Sequence, residues 1–421
     1  MTTPNVLDEL EWRGLVAHST DRDALRAALA EGSVKFYVGF DPTAPSLHMG
    51  HLVQVLTAKR LQDAGHTPYA LVGGATGMIG DPRDSGERTL NSLDTVKDWV
   101  ERVRGQIEPF LSFEGDNGAT MVNNYDWTSS LSTIDFLRDI GKHFPVNRML
   151  ARDTVKRRLE SGISYTEFSY VLLQSMDYLE LHRQHGVTLQ FGGSDQWGNL
   201  TAGVELIRRV DGGKAHAIAT PLMTKADGTK YGKTEGGALW LDPEMLSPYA
   251  FHQFWLNVED EKVGELLRVF TFCTREEIED LEQQTAEKPF LRAGQKRLAD
   301  EVTALVHGAD EVEQAKAAAA ALFGGGDLAG IRPDTLASAL REAGGTTLPA
   351  GELPGIVDLL VTAGLVKSKG DARRTVAEGG AYLNNVRIED PEHRPTEADL
   401  VAGSWLVLRR GKKNFAGLQV V

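Results

Sequence analysis

The chain has 421 residues, with 45 lysines and arginines against 59 aspartates and glutamates and a formal net charge of -14. That length exceeds one ordinary core of ~100 to 200 residues, and the acidic balance argues against a nucleic-acid or membrane surface spread over the whole molecule, so a polyanion must meet a local patch. A single cysteine, Cys273, excludes an internal disulfide and a cysteine-rich zinc site; no apolar run reaches the ~18 to 20 residues of a membrane span, and MTTPNVLDELEWRG lacks the basic and apolar regions of a leader, which together predict a soluble cytoplasmic protein.

In chain order, the short apolar runs VKFYVGF, YALVGG, ATMVNN, VTLQFGG and AHAIATPL alternate with longer helical patterns, and this predicts a parallel α/β sheet within residues 1–222. A helical insertion at about 130–185 is too long for one crossover and is expected to form a dimer or substrate-binding element. Residues 223–323 begin with a Lys-Gly segment and turn helical from Pro248. Gly and Pro clusters in GGGDLAGIRP and GGTTLPAGELPG read as a linker region over 324–354 around a short helical pattern, and 355–421 changes composition again as a small final domain.

In FDPTAPSLHMGHLV, Asp41-Pro42-Thr43 breaks the first run, and Leu52, Val53, Val55 and Leu56 recur at helical spacing, so His48 to His51 sit at a strand-to-helix turn. Such turns lie over the carboxyl ends of parallel strands, where free N–H groups and the helix dipole favour anions. Gly50 lets a flat base approach the backbone, and the imidazoles can donate to phosphate oxygens. Helix-capping histidines and a zinc pair are the alternatives, the latter short of further ligands. Far downstream, KADGTKYGKT strings Lys225, Lys230 and Lys233 through two glycine turns, a pattern that also fits a solvated loop.

The two elements together resemble the paired signatures of class I aminoacyl-tRNA synthetases. The wider set YVGFDPTAPSLHMGHL, LVGGATGMIGDP, NNYDW, TEFSYVLLQSMDYL, GGSDQWGN and KADGTKYGKT is similar to bacterial tyrosyl-tRNA synthetases. The resemblance implies a Rossmann-like catalytic domain, a helical anticodon-side domain and a small α+β S4-like RNA-binding domain. It further implies ATP (with Mg²⁺), L-tyrosine and tRNA(Tyr) as partners, a homodimer, no membrane and no tightly bound cofactor or metal. Thr43, His48, His51, Lys230 and Lys233 would serve catalysis, and Gly39, Asp41, Gly50 and Asp195 would join them around ATP.

In TEFSYVLLQSMDYLE, Tyr170, Gln174 and Asp177 fall on one helical face, with Phe168, Val171, Leu172, Met176 and Leu179 on the other side, so a phenol, an amide and a carboxylate point one way. The resemblance makes Tyr37 and Asp177 the binders of the substrate phenol, Asp81, Tyr170 and Gln174 those of its ammonium group, and Gln196 that of its carboxylate. In GGSDQWGN the resemblance puts Asp195 on the ribose, while a cap on the following helix would explain Ser194 or Asp195 equally well. The loop PRDSGER lacks a lysine often found there in relatives, with Arg83 or Arg88 as the substitutes. In the tail, Lys367, Lys369, Arg373, Arg374, Arg409, Arg410, Lys412 and Lys413 form the expected tRNA patch, with no acidic residue among positions 401–421.

Overall fold

The computed structural model describes residues 5–83, 86, 90–229, 231, 238–324, 326–328, 330–411 and 414–421, divided into two compact units. The first comprises residues up to Asp242 together with Glu261–Glu279. Its sheet is built from β1 (His18–Ser19), β2 (Lys35–Phe40), β3 (Thr67–Val72), β4 (Thr120–Asn123), β5 (Leu189–Gly193) and β6 (His216–Thr220), in the order β1-β6-β5-β2-β3-β4. The five strands expected from the apolar runs are all present and parallel; β1 is a two-residue antiparallel edge strand.

The chain runs outward from β2 through β3 to β4, then returns to the other side of β2 as β5, which makes the β2–β5 boundary the topological switch point. β2 and β5 pair through Phe36–Leu189 and Tyr37–Gln190, and a cavity opens beyond these pairs. Helix α1 (Met49–Asp63) follows β2. Helix α2 (Tyr165–His185) starts at an N-cap serine, Ser164, whose hydroxyl accepts from the Glu167 N–H, and stops at Gly186, whose φ of 70° suits glycine. Val171, Leu172, Met176 and Leu179 of α2 join Leu206 and Ile207 of α3 (Trp197–Asp211) in one core, which fixes the face turned to the cavity.

The second unit, Pro243–Asp260 with Asp280–Val421, contains the helices Pro248–Leu256, Ala293–His307 and Ala309–Gly324 and the sheet β7-β11-β10-β8-β9. These strands are β7 (Thr346–Leu348), β8 (Ala381–Leu383), β9 (Val386–Arg387), β10 (Trp405–Arg410) and β11 (Asn414–Val420). The 324–354 stretch carries the short helix expected within it and, in addition, a strand. Within it lie the helix Pro333–Glu342 and β7, which pairs in parallel with β11. Two of its glycines have a structural role: Gly344 turns at φ 82°, and a Cβ on Gly345 would stand 2.6 Å from the Trp405 ring.

Candidate active site

Residues of β2, β5, α1, α2 and the loops after β3 and β6 line a cavity of about 450 Å³. It brings together Tyr37, Gly39, Asp41, Thr43, His48, Gly50, His51, Asp81, Tyr170, Gln174, Asp177, Asp195 and Gln196 from distant parts of the sequence. Arg83 also reaches it, whereas Arg88, Lys230 and Lys233 lie outside the described residues. The flanks of the Lys-Gly segment do reach the histidine turn. Met223 lines the cavity, the Met49 N–H donates to Leu239 O at 3.0 Å, and the Leu241 N–H donates to Leu47 O at 2.9 Å.

The two histidines cap one another's helix start. His48 Nδ1 accepts from the Gly50 N–H at 3.1 Å, His51 Nδ1 accepts from the His48 N–H at 3.2 Å, and the rings stack with centroids 4.0 Å apart. Burial lowers the pKa of His48; burial and then the neighbouring His48 put that of His51 well below its ordinary value, so both are neutral at pH 7. With each Nδ1 used as an acceptor, each proton sits on Nε2. The capping and ligand-donor readings are therefore compatible: one nitrogen holds the helix, the other is a donor. Gly50 is needed for the first role, since a Cβ there would lie 3.0 Å from His48 Cε1.

At the deep end, Asp177 is buried and accepts from Asn124 Nδ2 at 3.0 Å and from Trp127 Nε1 at 2.9 Å. Burial outweighs these bonds and pushes its pKa up to about 7. The Tyr37 hydroxyl is buried without a hydrogen-bond partner, and burial and then Asp177 hold its pKa well above the ordinary phenol value. Gln174 Oε1 is likewise unpartnered. A hydrogen-bond chain runs from Tyr170 to Asp41 (2.6 Å), from Thr76 to Asp41 (2.6 Å) and from Asn124 to Thr76 (2.9 Å). Gly73 gives that chain room: a Cβ there would meet Asp41 Oδ1 at 2.1 Å.

Asp81 accepts from Gln196 Nε2 at 2.8 Å and Asn199 Nδ2 at 3.1 Å, and its pKa is raised by burial against the pull of those bonds. Asn199 also accepts from Arg152. Asp195 is exposed on the cavity rim, and no side chain caps the start of α3, so the helix-capping reading of Asp195 is not realised. Among the described residues no group of three or more His, Cys, Asp or Glu side chains converges as a metal site.

Residues 29–324 match the family described as tRNA synthetases class I (W and Y), and residues 339–418 match a tyrosine–tRNA ligase SYY-like C-terminal domain. The chain belongs to the class I tRNA synthetases. The synthetase is 62% identical over 419 residues to a tyrosine–tRNA ligase of Streptomyces coelicolor and 63% identical over 419 residues to that of Streptomyces griseus, in both cases over 99% of each chain. Among solved structures it is similar to C-terminally truncated mitochondrial tyrosyl-tRNA synthetases. That from Coccidioides posadasii has 32% identity and a TM-score of 0.66 over 74% of this chain and 91% of the other. That from Aspergillus nidulans has 31% identity and a TM-score of 0.67 over 74% and 92%.

Sequence reasoning did not single out Thr76, Asn124, Trp127, Arg152 or Asn199 in this synthetase. Thr76, Asn124, Trp127 and Asn199 sit inside stretches that carried the resemblance, but nothing in residue type says which polar side chain turns inward. In the tail, Lys367, Lys369, Arg373 and Arg374 are exposed and Arg410 is half-buried; Lys412 and Lys413 lie outside the described residues. Arg409 departs from the expected tRNA patch. It is 4% exposed and donates to Leu322 O at 3.0 Å and Asn385 Oδ1 at 3.2 Å, because it closes the carboxyl end of the helix Ala309–Gly324.

Proposed function

We propose that this tyrosine–tRNA ligase selects L-tyrosine through Tyr37 and Asp177, activates it with ATP, and transfers it to the terminal adenosine of tRNA(Tyr). The observation that carries the selection is the buried, unpartnered Tyr37 hydroxyl close to the Asp177 carboxyl. A substrate phenol donates to Asp177 and accepts from Tyr37, whereas phenylalanine leaves the buried Tyr37 hydroxyl without a partner and Asp177 with Asn124 and Trp127 alone, at a cost of several kcal/mol. Tryptophan has no hydroxyl for them either. Asp81, Tyr170 and Gln174 take the ammonium group, and Gln196 lies beside the carboxylate.

In the first step a tyrosine carboxylate oxygen bonds to the α-phosphorus of ATP, the bond to the bridging oxygen breaks, and pyrophosphate leaves. The tRNA hydroxyl then displaces AMP from the mixed anhydride. No protein nucleophile takes part. Negative charge gathers on the leaving group, and Thr43, the Nε2 donors of His48 and His51, Lys230 and Lys233 stabilise it. Gly39, Asp41 and Gly50 border the nucleoside, Asp195 the ribose. Mg²⁺ arrives as the counter-ion of ATP. Lys367, Lys369, Arg373, Arg374 and Arg410 offer phosphate contacts to tRNA, with Lys412 and Lys413 in the same basic segment.

The chain works as a cytoplasmic homodimer in this reading. The insertion presents Ile134 (70% exposed), Val146 (59%) and Tyr165 (67%), apolar surface that a second copy would cover. No helix among the described residues is long and apolar enough to cross a membrane. ATP–pyrophosphate exchange measured across the amino acids tests the chemistry: tyrosine alone should support it strongly, and equal rates with phenylalanine or tryptophan would sink the reading. Sedimentation showing a monomer at micromolar concentration would remove the dimer.

A further inference from the structure

Arg158 and Glu167 form an ion pair with side chains 4% and 1% exposed, Nη2 to Oε2 2.8 Å, and neither lines the cavity. A pair so desolvated persists when every remaining donor is met, and here each one is. Nη1 donates to Glu167 Oε1 at 3.3 Å and to Arg83 O at 2.8 Å; Nη2 donates to Glu167 Oε2 and to Gly162 O at 3.1 Å; Nε donates to Gly162 O at 3.3 Å. One guanidinium thus joins the first turn of α2, the turn before it, and the backbone just after Asp81. The side chain of Asp81 is anchored separately, to Gln196 and Asn199.

We infer that Arg158 is a positioning residue for the ammonium subsite, setting the separation between Asp81 on its loop and Tyr170 and Gln174 on α2 through the Arg83 carbonyl. The inference rests on the tyrosine reading above. Lysine keeps the charge but has no planar fork with which to reach Glu167, Gly162 and Arg83 together. Loosening the tie shifts one wall of the ammonium subsite against the other and leaves the phenol end, held by Asn124 and Trp127, in place.

The test uses the full-length protein, Arg158→Lys, and the double variant Arg158→Met/Glu167→Met. The double variant leaves no buried charge unpaired and carries the comparison if the single variant fails to fold. Two probes are titrated: tyramine, with phenol and ammonium, and 3-(4-hydroxyphenyl)propionate, with phenol and carboxylate but no ammonium. Tyramine should bind about tenfold more weakly to the variants, the propionate should change less than about twofold, and KM for tyrosine should rise while KM for ATP holds. Equal weakening of both probes would reduce Arg158 to a purely structural role, and unchanged binding of both would leave it none. If the unaltered protein binds neither probe, the tyrosine reading itself has failed, which is visible before any variant is made.

Discussion

In the cavity of the first unit, Asp41, Asp81 and Asp177 each accept two hydrogen bonds from side chains of other elements. On the helix Lys369–Ala377 of the second unit, Lys369 and Arg374 stand 63% and 67% exposed, each reaching a surface aspartate. The first arrangement holds a few carboxyl groups where water is scarce, and burial raises the pKa of Asp81 and Asp177 against the bonds that favour their charge. The second leaves exposed, screened charges worth about 0–1 kcal/mol each, suited to a partner that brings many phosphates. Arg409 belongs to the tail by sequence and to the first kind by behaviour.

The contrast breaks most directly at Asp177. Asp177→Ala removes the acceptor of Asn124, Trp127 and the substrate phenol together, so kcat/KM in tyrosine-dependent exchange should fall about 10³-fold, or ~4 kcal/mol; an unaltered value would mean the carboxylate does not face the phenol. Arg409→Met should lower the stability of the second unit by roughly 2–3 kcal/mol in thermal unfolding while adenylate formation continues at its normal rate. Loss of tRNA binding without loss of stability would return Arg409 to the patch.

His48 separates the two roles of one ring. Asparagine places an acceptor where Nδ1 stood and loses the outer donor, so His48→Asn should cut the exchange rate about tenfold with little change in melting. His48→Gln reaches the Nε2 position instead, and should hold the rate better while destabilising the protein by about 1 kcal/mol. The reverse pattern would assign the helix cap to another group. Smallest of all, Arg373→Ala and Arg374→Ala should each lower the salt slope of tRNA binding by about 1 and leave exchange unchanged; an unchanged slope would take them off the interface.

What could be read from the sequence follows the same division. Strand runs, the histidine turn and the polar face of α2 are patterns that local physics imposes, and the structure carries all three. The hydrogen-bond chain through Thr76 and Asn124 was hidden because it joins residues from separate loops, each polar side chain looking like any other. Within the linker expected over 324–354 the short helix was legible and β7 was not, because a glycine beside a tryptophan ring and a glycine in a loose loop are the same letter. A cut before Gly355 would take away Trp405 and Val407 from the core they share with Tyr249, Ala318, Leu336 and Leu340, so point substitutions test the tail more cleanly than truncation.

The Asp177 carboxyl also gives tyrosine capture a proton inventory. In the protein alone, burial holds its pKa up to about 7 from an ordinary 3.8, so near neutrality a fraction of molecules carries a proton there. Because the folded-state value is the higher one, this group's contribution to folding is fully present below pH 3.8 and is lost as pH rises through about 7. A phenol donating to the carboxylate favours its ionised form, and an ammonium group beside Asp81, whose pKa is also raised, acts in the same direction. Tyrosine therefore expels protons as it binds: affinity climbs with pH towards about 7 and levels off above it. Calorimetric titrations at pH 7 in buffers of different ionisation enthalpy should give different apparent heats, and Asp177→Asn should shrink that spread.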